Sequence, residues 1–132
     1  MIYRPRRNRR NEAIRSLVRE TRFTPEQLIL PLFVEAGSDH KIPIASLPGV
    51  YRYSPENLVL KAQQAIAQGV GGIAIFPKIE DSLKDPTGSH SLDKNNVNLE
   101  TVKRLKDALP DTPIFTDVAL DPYSSDGHDG IL

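Results

Sequence analysis

Four aspartates and a histidine crowd one short stretch near the end of this chain: Asp117, Asp121, Asp126, His128 and Asp129. The apolar run 113–116 leads into them, and then glycines and polar residues take over. A buried strand reads this way when it delivers polar groups to the rim of an active site. Side chains on a strand alternate, so a strand over 113–120 would put Asp117, Ala119 and Asp121 on one face, with Val118 and Leu120 on the other. Asp126, His128 and Asp129 follow in a glycine-punctuated loop able to fold back over that face. Carboxylates this close do not all stay ionised without a cation, a lysine or a shared proton beside them. The stretch therefore calls for a positive partner.

Other reactive residues carry less. Ser124 and Ser125 have no base at a recognisable spacing, which speaks against a serine nucleophile. His128 lacks the ligand partners of a zinc site, His40 and His90 being distant in sequence, and reads as a hydrogen-bonding or structural histidine. Lys78 follows an apolar run, where a Schiff-base lysine could sit, but its plainer reading is a surface lysine at a strand end.

These groups need a scaffold. Asn11 is placed to cap a helix in which Ala13, Ile14, Leu17 and Val18 make an apolar stripe. Thr24, Pro25 and Gln27 have the composition of a capping box with a first-turn proline. Residues 28–34 read as a strand, with Pro31 better suited to an end or an irregular edge than to the middle. A long connection over 37–52 follows. Ser54 and Pro55 then open a helix with Leu58, Ala62, Ala65 and Ile66 inward, closed by Gly69. Residues 70–76 form a strand apolar on both faces. After a polar loop over 80–96, Asn98 caps a third helix with Leu99, Val102, Leu105 and Leu109 inward, ended by Pro110. Strand, helix, strand, helix, strand implies an α/β fold with a parallel sheet. Periodicity alone leaves open an open flavodoxin-like sheet or a piece of an eight-stranded barrel.

Composition narrows the class. The chain has 132 residues, 39% hydrophobic and 26% charged, as a globular domain has. It has no cysteine, which rules out disulfides and thiolate metal sites and fits a reducing compartment, with the cytoplasm as the default. No apolar run is long enough to span a bilayer and no signal segment opens the chain. Formal net charge is zero, yet Arg4, Arg6, Arg7, Arg9 and Arg10 crowd the start, with Arg15, Arg19 and Arg22 following. Such an arm suggests nucleic acid, but no aromatic residue interleaves with these arginines and no recognition motif follows. Docking on an acidic surface of a neighbouring subunit suits it better.

The residue blocks resemble one enzyme family, porphobilinogen synthase (δ-aminolevulinic acid dehydratase). The match runs from Thr116 to Gly130, a TDV-x-L-x-PY-x-S-x-GH-x-G segment. It extends in order through Arg4-Pro-Arg-Arg, Leu17-Val-Arg-Glu-Thr21, Leu30-Pro-Leu-Phe-Val34, Pro48-Gly-Val-Tyr-Arg52, Phe76-Pro77 and Gly88-Ser89. The resemblance implies the first strands and helices of a (β/α)8 TIM barrel preceded by an extended arm: residues 1–24 as arm and short helix, 25–132 as an incomplete barrel. A closed barrel takes roughly 250 residues, so about three of its eight strands would lie here. It also implies that two Schiff-base lysines lie beyond Leu132 and that this is the amino-terminal portion of a longer enzyme. Its reaction would condense two 5-aminolevulinate molecules into porphobilinogen with loss of water, in a homo-oligomer, an octamer in the family, joined through such arms. Asp117 matches the aspartate lining the substrate pocket. Ala119, Asp121 and Asp129 match the three cysteines that hold zinc in zinc-dependent members. With a methyl group and two carboxylates there, the loop suits magnesium or another hard cation, or no fixed metal, and disfavours zinc. A rival reading is a non-catalytic assembly module built from the arm, the helix faces and an open sheet edge.

Overall fold

The computed structural model describes residues 6–130. Arg4 of the arm and the last two residues lie outside them. Its centre is a five-stranded sheet in the order β2-β3-β1-β4-β5, with β1 Ile29–Glu35, β2 Lys41–Pro43, β3 Tyr51–Tyr53, β4 Gly72–Lys78 and β5 Ile114–Thr116. β1, β4 and β5 run parallel, and β3 also pairs parallel to β1 through Phe33 and Val34. β2 turns back antiparallel to β3.

Two helices cover one face, α2 over Pro55–Ala67 and α3 over Val97–Ala108. Strand alternation puts Leu32 and Val34 of β1 and Ile73 and Ile75 of β4 on that face, where they are buried with Leu58, Ala62 and Ala65 of α2 and Leu105 of α3. Full burial of each large aliphatic here contributes roughly 1.5–3 kcal/mol. The opposite face is only partly covered. Phe33 and Phe76 sit in register across β1 and β4 with ring centroids 5.7 Å apart, and Phe115 of β5 continues that row at 46% exposure. An apolar row left open to this extent is the inward face expected of a barrel wall.

Local chemistry explains the element ends. Asn11 accepts the Ile14 N–H at 2.9 Å and caps α1, Glu12–Leu17. Gln27 Oε1 accepts the Thr24 N–H at 3.0 Å and closes the turn Pro25–Gln27 that leads into β1. α2 begins with Pro55 in its first turn and ends before Gly69, whose φ of +93° needs no side chain to tolerate it. No helix among the described residues is long and apolar enough to cross a membrane.

Several expectations are corrected. The connection after β1 contains the β2–β3 hairpin, short strands whose alternation is too brief to stand out in sequence. Its β3 is anchored by the Arg52–Glu35 ion pair at 3.2 Å. Pro31 sits in the middle of β1, tolerated because β3 reaches β1 only at Phe33 and Val34 and leaves the Pro31 level unpaired on that side. The cap of α3 is Asn96, whose Oδ1 accepts the Leu99 N–H at 3.0 Å, so Asn98 lies inside the helix, buried, and Leu99 faces out. Ser54 stands at the N-cap of α2, but its hydroxyl takes the His40 N–H at 3.4 Å instead. The apolar stripe of α1 lies largely open, with Leu17 81% exposed, because this short helix packs mainly on the Arg7–Arg9 turn and not on the sheet.

Candidate functional site

The acidic stretch lies where β5 ends, at the carboxyl edge of the parallel strands, the side on which α/β barrels keep their chemistry. The strand is shorter than the sequence suggests. It stops at Thr116, so Asp117, Ala119 and Asp121 do not share a strand face. The chain instead curls at Leu120, whose carbonyl accepts the N–H groups of Tyr123 and Ser124 at 2.9 and 2.8 Å. Pro122 favours such a turn over continued pairing.

The fold-back of the loop is present, and Asp129 makes it. Its Oδ1 accepts the Leu120 N–H at 3.0 Å and the Asp121 N–H at 3.2 Å. That brings Asp129 and Asp121 together, with Asp117 close enough to act on Asp121. The Asp121 carboxyl is raised above the ordinary aspartate value. The largest cause is lost hydration, followed by the negative charge of Asp129, a hydrogen bond from Asp121 to it, and the charge of Asp117. The ion pairs of the described residues all lie elsewhere, so the carboxylates of this stretch face one another without a paired cation among those residues. Asp126 and His128 are exposed in the same loop.

Asp117 lines a cleft of about 400 Å³ with Asn98, Ser91, Leu120 and Tyr123. Tyr123 is buried, which pushes its hydroxyl up, and the Asn98 amide partly opposes this. Asn98 Oδ1 is buried with no hydrogen-bond partner among the described residues. Lys78 is exposed at the end of β4, in keeping with its plainer reading.

As for a cation, no group of three His, Asp or Glu side chains converges among the described residues. Asp121 and Asp129 offer oxygens only, and Asp129 Oδ1 is already engaged by two amides. This donor set does not fit tetrahedral zinc.

Sequence reading missed Asp85. Its carboxylate accepts from the Thr87 N–H at 2.7 Å, the Thr87 hydroxyl at 2.6 Å, the Ser89 N–H and the Ser89 hydroxyl. Those bonds, Ser89 foremost, hold the carboxyl far below the usual range. The run Asp85-Pro-Thr-Gly-Ser89 is an aspartate turn by composition, the signal that could have found it.

Comparison with known proteins decides the family. The sequence profile of delta-aminolevulinic acid dehydratase matches residues 2–132, nearly the whole chain. This chain belongs to the delta-aminolevulinic acid dehydratase family. The chloroplastic delta-aminolevulinic acid dehydratase of Chlamydomonas reinhardtii is 45% identical over 130 residues, covering 98% of this chain and 33% of that protein. The dehydratase of Chlamydia pneumoniae is 43% identical, covering 98% and 39%. Among solved structures, the Toxoplasma gondii delta-aminolevulinic acid dehydratase, crystallised with its reaction product porphobilinogen, superposes with a TM-score of 0.90. It is 42% identical and covers all of this chain and 37% of that one. The chain thus spans about a third of the length of these dehydratases, and its sheet is part of a dehydratase barrel.

Proposed function

We propose that the whole protein condenses two molecules of 5-aminolevulinate into porphobilinogen with release of two waters. The match of residues 2–132 to the dehydratase family carries this reading. The carboxylates at the end of β5 support it, being where a barrel enzyme keeps its reacting groups.

Asp117 is the residue we assign to the substrate pocket. A carboxylate there accepts hydrogen bonds from a substrate amine and can take or return its proton. Covalent capture of the substrate carbonyl falls to lysines outside this chain. Asp121 and Asp129 form the loop beside the pocket, which Asp129 ties back through the Leu120 and Asp121 N–H groups. A magnesium ion, or another hard cation, would be held by the Asp121 and Asp129 oxygens with water and would offset the charge of the three aspartates.

For assembly, Arg6, Arg7, Arg9 and Arg10 are all exposed, whereas Arg15 and Arg19 are taken up by Glu12 at 2.7 and 3.0 Å. These guanidinium groups, unpaired among the described residues, and the exposed Leu17 and Phe23 support docking on another subunit of a homo-oligomer. The absence of cysteine supports a reducing setting such as the cytoplasm.

The test is direct. The full-length protein, supplied with 5-aminolevulinate, should form porphobilinogen, and Asp117→Ala should abolish turnover whatever divalent cation is added. Absence of product under every metal condition would end this reading.

A further inference from the structure

The loop that carries Asp121 and Asp129 is held by more than its own bonds. It is stitched to a second loop, residues 85–90, at several points. The Asp85 carbonyl accepts the Ser125 N–H at 3.1 Å, and Asp85 and Ser124 form an isolated parallel bridge. Gly88, at φ +63°, lies so close that a side-chain carbon there would stand 3.3 Å from Leu120 Cδ2 and 3.5 Å from Tyr123 Cβ. The His90 ring packs against Tyr123 with centroids 6.3 Å apart.

We propose that Asp85 is a positioning residue for the reaction, acting through the 85–90 turn to set the 120–130 loop. The inference rests on the dehydratase reading above. Among the described residues, the Asp85 side chain hydrogen-bonds only to Thr87 and Ser89 and to no acidic residue of the site. It ties down Thr87 and Ser89, through both their backbone amides and their hydroxyls, and so closes the turn. A closed turn aims the Asp85 carbonyl at Ser125 and seats Gly88 against Leu120, the residue whose N–H Asp129 also holds. Remove the carboxylate and the turn loses its centre; the carbonyl and Gly88 then lose their fixed direction. The loop beyond β5 would remain attached only by its own bonds, and a shift of an ångström at a reacting centre costs on the order of 100-fold.

The experiment compares full-length wild type with Asp85→Ala, Asp85→Asn and Gly88→Ala. The wild type must first convert 5-aminolevulinate to porphobilinogen; if it does not, the dehydratase reading fails and the Asp85 inference goes with it. With an active wild type, Asp85→Ala should lower kcat/KM by about 10- to 100-fold, more through kcat than through KM. Asp85→Asn keeps an acceptor for Thr87 and should recover much of that loss. Hydrogen exchange read by mass spectrometry should quicken in peptides covering 120–130 and stay at wild-type rates in β4. Gly88→Ala should show the same local pattern from the other side of the contact. Asp85→Ala activity within about twofold of an active wild type would overturn the proposal. So would faster exchange spread evenly over the sheet, which would mark a general loss of stability.

Discussion

Asp129 reaches back eight residues to accept the backbone N–H of Asp121 at 3.2 Å, so one carboxylate closes the loop that holds the other. The bond is local and needs no metal. It also sets two negative charges side by side, which is one cause of the raised Asp121 carboxyl. A structural bond and an electrostatic penalty thus come from the same side chain.

Asparagine at position 129 separates the two effects. Asp129→Asn keeps an oxygen for the Leu120 and Asp121 amides but removes the charge, so the Asp121 carboxyl should move down toward its ordinary value. Because the folded-state value is raised, the folded loop binds its proton more tightly than the unfolded chain does. Wild-type stability should therefore fall as pH rises from the ordinary aspartate range through the raised value, and Asp129→Asn should flatten that fall. Carboxyl titration by NMR and urea melts across that range would show both changes. An unchanged Asp121 titration would remove Asp129 as a cause.

Metal preference follows from the donor atoms. Zinc-selective chelation should leave the full-length enzyme active, since carboxylates and a methyl group make a poor zinc site. Replacing Ala119, Asp121 and Asp129 together by cysteine should create zinc-dependent activity. The check is metal content alongside the porphobilinogen assay. Stoichiometric zinc on the wild type, lost together with activity, would overturn the assignment.

Among the glycines of the described residues, Gly71 has the tightest surroundings. A side-chain carbon there would stand 2.0 Å from the Glu26 carbonyl oxygen, on the turn before β1, while the Gly71 N–H donates to Leu28 O at 3.0 Å. Backbone cannot swing aside as a flexible side chain can, so Gly71→Ala should cost about 2 kcal/mol or more. Denaturation of the full-length protein would measure it, and a loss below about 0.5 kcal/mol would show that the turn yields easily.

The arm should matter for assembly rather than chemistry. Deleting residues 1–10 from the full-length protein should reduce its oligomer size on gel filtration and lower activity indirectly. An unchanged assembly would count against the role given to Arg4, Arg6, Arg7, Arg9 and Arg10.

Much of this was written locally in the chain. Asn11, the Thr24–Gln27 box, most of the apolar faces of α2 and α3 and the strand–helix alternation that makes a parallel sheet depend on neighbours a few residues away, which a sequence displays. The chemical character of the acidic stretch was legible for the same reason, since residue type alone excludes thiolate zinc. What the sequence could not show are relationships closed by distant partners. Asn96 rather than Asn98 caps α3 because Asn98 is needed in the packed interior beside Tyr123. β5 ends at Thr116, and Asp129 folds over it, because backbone groups past the strand find partners in the loop instead of in β4. The β2–β3 hairpin exists because Glu35 and the edge of β1 give it something to pair with. Asp85 reads as one more loop aspartate until folding brings its turn against Leu120, Tyr123 and Ser125. Local spacing determines which groups are available; long-range packing decides which of them meet.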